Sequence, residues 1–449
     1  MPIRAWASIQ ANTRQALDRY SQVLSQHTTR TFLITFVVSV VGDWLNLVAL
    51  MSLAYEFGDG ALGVGGMLAL RMVPGLVLQG LAGALVDRMP GKAILIGSQI
   101  TMGVVAWSFM TLESIESLWL LYSLVVLLET VNTLARPAFM VQLVGSVSES
   151  HRGAINGLIG MAMTTAQLVG ASIGAIILGP LSPQPLFFLN GLTFIGIAIV
   201  VSRVKVTPIA ESARRLVERA GEQVSATGGS IGGYVSMIRR PDVFIYCFLT
   251  LTVSMLIQAA TALFEARARG LSLGEGGAGI FFAAVAIGLL LGGAIAGAGI
   301  YRDRTTLHLI AAAEIASALG LVAFGLANTL TIAALALVVT GIAAELAEVP
   351  ALTYFQHRLP ATVYGRFFSL FLMASAAGGL IGALAGPVLE RSLGEARALQ
   401  FMTIPILVSA FLLVFLSRSW GEASDEASTE ADAPMSAPLP TIQPSLRED

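Results

Sequence analysis

Polar side chains recur at helical spacing inside stretches that are otherwise apolar. Ser39, Asp43 and Asn46 stand at i, i+4 and i+7; Glu129, Asn132 and Arg136 at i, i+3 and i+7; Ser254, Gln258 and Thr261 again at i, i+4 and i+7. Each spacing puts three polar groups on one face of an α-helix. Glu345 and Glu348 form a shorter pair in a fourth stretch, and Arg71, followed by Pro74, is a lone cation in a fifth. An ionisable group in hydrocarbon costs at least ~2.5–3.5 kcal/mol on insertion scales, so such placement points to binding of a polar cargo or carriage of protons. The competing reading of each stripe is hydrogen bonding between helices with no further role. For Asn46, Asn132 and Ser254 the two readings balance, whereas Asp43, near the middle of its stretch, leans to function.

Arg71 lies at a depth similar to that of Asp43 and is its nearest candidate counter-ion. An Asp43–Arg71 pair would lower the insertion cost of both groups, either as a coupling element or as a fixed strut. Glu129 is the better candidate to carry a proton. Glu345 and Glu348 lie closer to the end of their stretch, where pairing with Arg358 competes. Glu314 stands apart from these stripes.

The stretches that hold these residues fill most of the chain. Of 449 residues 55% are hydrophobic and only 12% charged, with a mean hydropathy of +0.78; a soluble chain carries about a quarter charged residues. A bilayer core of ~30 Å needs roughly 20 apolar residues per helix. Twelve segments fit, at about 32–55, 61–86, 93–112, 116–136, 153–179, 185–203, 242–264, 277–300, 306–326, 329–351, 365–389 and 398–417. The polar stripes fall on segments 1, 4, 7 and 10, the leading helix of each successive triplet, and would line one shared cavity. Segments 3, 6 and 12 carry no acid stripe and would face lipid.

Arg and Lys crowd the connections on one side, while the other side holds only Arg267, Arg269, Arg391 and Arg397. By the positive-inside rule both termini are cytoplasmic, in a multi-pass protein of the cell membrane. Residues 1–31 read as an amphipathic segment on the inner leaflet, with Trp6, Leu17 and Leu24 at helical spacing among Arg4, Arg14 and Arg19, or equally as a mobile tail. Residues 32–203 form one six-helix bundle, 204–240 a cytoplasmic linker, 241–417 a second bundle, and 418–449 a disordered tail.

The two bundles share motifs. GALVDR, with Gly83, Asp87 and Arg88, is matched 216 residues on by GIYRDR, with Gly299, Asp303 and Arg304. Pro137 of ARPAF corresponds to Pro350 of EVPAL, and Gly170 and Gly174 to Gly382 and Gly386. Asp87 and Asp303 end even-numbered segments, where each carboxylate could meet the positive end of a helix from the opposite half and hold the inner side closed.

On these residues the chain resembles the major facilitator superfamily over nearly its whole length. Gly83, Asp87, Arg88 and Lys92 are similar to its loop 2–3 motif, although Pro90 and Gly91 replace the usual Gly and Arg. SVVGDW, LRMVPG, FFLNGLTF and YGRFFSL are similar to the branch of enterobactin-exporter-like and macrolide-efflux-like proteins. The antiporter signature of segment 5 is degraded, with Ala171 after Gly170. The resemblance implies an all-α fold of twelve membrane helices in two pseudo-symmetric six-helix bundles, with alternating access around a midplane site.

The expected function is export of a lipophilic or amphipathic, drug-like small molecule in exchange for protons. The cavity and proton path would use Asp43, Asn46, Arg71, Glu129, Asn132, Gln258 and Glu345. The gates would use Gly83, Asp87, Arg88 and Lys92 with Gly299, Asp303 and Arg304. Alternatives are a siderophore or metabolite exporter, an uncoupled facilitator, and a non-transporting membrane sensor built on the 204–240 loop. A single cysteine, four histidines outside any ligand spacing and the lack of a P-loop consensus argue against a metal site, a cofactor or an enzyme. The near-neutral charge argues against a nucleic-acid partner. The bilayer, the cargo and protons are the expected partners of a monomer.

Overall fold

The computed structural model describes residue 18 and residues 20–88, 91–148, 151–203, 231–297, 306–359 and 361–431. Regular structure among them is helical throughout. Six long helices form the first half: α1 (His27–Phe57), α2 (Ala61–Arg88), α3 (Gly91–Ser108), α4 (Leu118–Gly145), α5 (Arg152–Leu178) and α6 (Gln184–Arg203). Six form the second: α7 (Pro241–Gly270), α8 (Gly277–Gly297), α9 (Thr306–Leu326), α10 (Leu330–Arg358), α11 (Ala361–Leu393) and α12 (Glu395–Ala431). Each is long and apolar enough to cross a bilayer. In hydrocarbon a helix satisfies its own backbone groups, which is why uniformly apolar segments adopt it. Large side chains such as Val77, Ile176 and Phe411 stay exposed on the outer surface, where acyl chains can meet them.

Several helices outrun the limits their sequence suggested. α4 continues through position 137 to Gly145, and α10 carries Pro350 inside it and runs to Arg358. A proline removes one helical hydrogen bond without ending a helix whose neighbours hold it. Residues 418–431, expected to be disordered, continue α12. At the other terminus residues 20–25 are helical and lie against the bundle: Val23 is fully buried, and Gln22 Oε1 meets His151 Nε2 at 2.8 Å. Residues 1–17, most of the linker and 432–449 lie outside the described residues.

The duplicated glycines make duplicated contacts. A Cβ at Gly170 would lie 2.6 Å from the Val41 carbonyl oxygen, so α5 packs tightly on α1. Gly382 and Gly386 do the same for α11 on α7, where a Cβ at Gly386 would meet Ala259 Cβ at 2.7 Å. Small residues at this spacing let helix backbones approach closely.

The halves meet along two seams, α2 against α11 and α5 against α8. The internal repeat equates α2 with α8 and α5 with α11, so one kind of seam is built twice. Calling the ends where α1 and α7 start proximal, and the ends where they finish distal, the close approaches along both seams lie from mid-helix outward to the distal side. Gly279 of α8 abuts Ala171 and Ala175 of α5; Gly65 of α2 abuts the Ala383 carbonyl and Pro387 of α11.

Candidate functional site: a cavity between the halves

Between the halves lies a cavity of about 650 Å³. The first half supplies Ser39, Asp43 and Trp44 from α1, Arg71 and Met72 from α2, Gln99 from α3, Glu129, Asn132 and Arg136 from α4, and Gln167 from α5. The second half supplies Gln258, Thr261 and Phe264 from α7, Phe282 from α8, and Thr340 and Glu348 from α10. At its distal side an aromatic roof crosses the seam: Phe282 meets Trp44 at 5.0 Å and Phe264 at 5.1 Å between ring centroids, both edge-on. Edge-to-face rings are a favoured aromatic arrangement. Phe36, Phe139 and Met140 continue the walls on the proximal side.

The charges are not paired as the sequence suggested. Arg71 Nε donates to Glu129 Oε1 at 2.7 Å, and Asn132 Nδ2 donates to Glu129 Oε2 at 3.4 Å. The partner of Arg71 is therefore Glu129 and not Asp43. α2 packs along α4, which brings the guanidinium onto that helix before it can reach across to α1. Asp43 makes no hydrogen bond or ion pair among the described residues. Arg136, exposed toward the cavity, likewise has none there.

Asp43, Arg71, Glu129, Asn132 and Gln258 thus come together on one cavity. Asn46 and Glu345 do not line it. On α1 the lining face runs through positions 36, 39, 40, 43, 44 and 47, and at 3.6 residues per turn position 46 falls to its side. Asn46 is buried there, its Oδ1 without a hydrogen-bond partner among the described residues. On α10 the lining face is 340, 341, 344 and 348, so Glu345 turns toward Gly292 and Gly293 of α8. Ser254 leaves its stripe as well and bonds Ser375 of α11 at 3.0 Å.

Sequence reasoning missed Gln99 and Gln167, single polar residues with no stripe to mark them. It also missed the aromatic roof, since Trp44, Phe264 and Phe282 sit in apolar runs where nothing distinguishes them. The expectation that segment 3 faces only lipid is corrected by Gln99 and Met102 on the cavity wall.

Of the motif residues, Lys92 Nζ donates to the Ser202 carbonyl at 2.7 Å, joining the start of α3 to the end of α6. Gly83, Asp87 and Arg88 occupy the last turns of α2, with side chains outside the described set. Gly299, Asp303 and Arg304 lie outside the described residues.

Beyond the roof, charged side chains bridge the halves. Arg269 at the end of α7 pairs with Glu265 at 3.0 Å and with Glu56 of α1 at 3.3 Å, and it lies 4.7 Å from the ring centroid of Tyr55. Arg391 of α11 pairs with Asp59 at 2.9 Å. The spacing Glu265–Arg269, i to i+4 on a helix, was a sequence signal that could have drawn attention here.

Architecture and cavity together describe a two-bundle membrane transporter. The profile of the Major Facilitator Superfamily matches residues 31–383, and the chain belongs to that superfamily. Among curated relatives it is similar to "Uncharacterized MFS-type transporter YfiS" of Bacillus subtilis (strain 168), 23% identical over 87% of this chain and 92% of that one. It is also similar to "Putative bacilysin exporter BacE" of Bacillus subtilis, 26% identical over 84% of this chain and 88% of the other. Among solved structures a point mutant of the nucleoside transporter NupG superposes with a TM-score of 0.69 at 11% identity, covering 86% of this chain and 99% of that one. At that identity the likeness speaks for the fold alone.

Proposed function

We propose that this transporter exports lipophilic or amphipathic small molecules in exchange for protons, by alternating access of the cavity to the two sides of the cell membrane. The observation that carries the reading is Asp43, a carboxylate without an ion-pair partner among the described residues, in the wall of a chamber otherwise rich in apolar side chains. Met72, Met102, Met140, Met163, Phe36 and Phe139 offer adaptable and aromatic surface, suited to a drug-like cargo. Taking up a proton costs Asp43 no ion pair, whereas Glu129 would first have to release Arg71. A cationic cargo and a proton would compete for the same carboxylate, and that exclusion is what exchange requires. The excess of Arg and Lys on proximal connections supports that end as the cytoplasmic one. Distal contacts then close the outer side, leaving the chamber to the inner one. The exporter named BacE among the relatives supports the outward direction.

Arg136 favours a second reading. A guanidinium at the cavity wall that makes no hydrogen bond or ion pair among the described residues would suit a metabolite carrying an acidic group.

Everted vesicles with an imposed pH gradient test the first reading. Asp43→Asn should bind cargo yet lose gradient-driven accumulation, while the wild-type chain shows both. Gradient-driven accumulation that survives in Asp43→Asn would remove proton coupling through this residue.

A further inference from the structure

The distal bridge between the halves holds more acid than its cation can neutralise. Glu56 closes α1 and belongs to the first half; Glu265, Arg269 and Glu275 belong to the second. Arg269 bonds Glu265 Oε1 and Glu56 Oε1, and its Nη2 also reaches Ser52 Oγ at 3.4 Å. Glu265 is fully buried, and its Oε2 has no hydrogen-bond partner among the described residues. Glu275 stands in the turn before α8 and faces Glu56 across the seam within hydrogen-bonding reach. Two carboxyl groups can share a hydrogen bond only when one of them carries a proton. The turn that presents Glu275 is fixed in place: Gly276, at φ +81°, packs against Leu178 and Ala175 of α5.

We infer that this cluster is a proton-binding site, separate from the cavity, in which a proton held between Glu56 and Glu275 beside Glu265 and Arg269 locks the distal closure. Without that proton three carboxylates face one guanidinium, and Glu56 and Glu275 repel each other across the seam. The remaining charges nearby do not relieve this. Asp59 and Arg391 pair with each other, and Arg267 turns away to Glu395 and to the Ala327 carbonyl.

Burial first, and then the neighbouring Glu56, push the Glu275 carboxyl above its ordinary range, more than Arg269 lowers it. The closed form therefore binds the proton more tightly than the parted form does. Closure is fully favoured at low pH and is lost as pH rises through the raised value. On the orientation proposed above, acid outside the cell would shut the outer gate.

The test measures a distance between the halves, so its outcome is independent of cargo and of coupling through Asp43. The full chain, with Cys247→Ser, Leu181→Cys and Leu393→Cys, is spin-labelled at those two exposed distal positions in nanodiscs. As the pH is raised from about 5 to about 8 the ratio of short to long distances should fall. Glu275→Gln and Glu56→Gln each keep a hydrogen-bonding amide without the charge and should hold the short distance at both pH values. Asp59→Asn should keep the wild-type pH response. A wild-type distribution that ignores pH would overturn the site, as would either glutamine variant responding to pH as the wild type does. If one glutamine variant fails to fold, the other decides.

Discussion

The two halves repeat their packing but not their electrostatics. In the first, Arg71 is held by Glu129, which Asn132 also contacts. In the second, Glu314, Glu345 and Glu348 have no hydrogen bond or ion pair among the described residues, and Glu314 and Glu348 lie close enough to influence each other. By contrast the α1–α5 and α7–α11 contacts rest on glycines at equivalent places. Close approach of backbones is a steric demand that both halves must meet in the same way. Charge placement is under no such steric demand, and the halves need not share it.

The packing side of this comparison should break hardest. Gly170→Val and Gly382→Val each drive a side chain into the backbone of the partner helix. Each should cost at least the ~1–3 kcal/mol usual for overpacking, read by denaturant titration in mixed micelles. A large loss in one half only would show that the contacts are not equivalent. Next comes the charged side. Arg71→Ala should cost about 2–3 kcal/mol by the same titration, below the ~3–5 of a sealed ion pair because about a quarter of Arg71 is exposed. The double variant Arg71→Met with Glu129→Leu should recover most of it. Glu314→Gln, which separates no ion pair, should change stability by less than ~1 kcal/mol or raise it. A loss as large as that of Arg71→Ala would reveal a hidden cation partner and dissolve the contrast. Smallest of all, Asp59→Asn removes a pair whose side chains are 76% and 69% exposed, worth at most ~1 kcal/mol.

The twelve helices and their two-fold arrangement were legible in the sequence because segment length and apolar content are read directly against bilayer thickness. The repeat was legible because glycine and proline mark backbone geometry wherever they occur. The cavity was legible only in part. Asp43, Glu129 and Gln258 stood out as polar residues in apolar surroundings. Asn46 and Glu345 shared that mark yet point elsewhere, because residues three or four apart on a helix span more of its circumference than one lining face. The pairing of Arg71 was hidden for a different reason. Depth along the membrane can be estimated from position, but which neighbouring helix lies nearest depends on how helices pack. The distal cluster escaped notice because charges near segment ends are ordinarily solvated.

Pro387 has no N–H, so within α11 the Ala383 carbonyl goes without the helical donor it would otherwise have. This is the oxygen against which Gly65 of the opposite half rests. Under the alternating access proposed above, a zipper of strong donors here would have to be torn at every turnover, stranding groups in oil. A methylene laid on a lone acceptor peels away at small expense, and water can take over the oxygen once the gap widens.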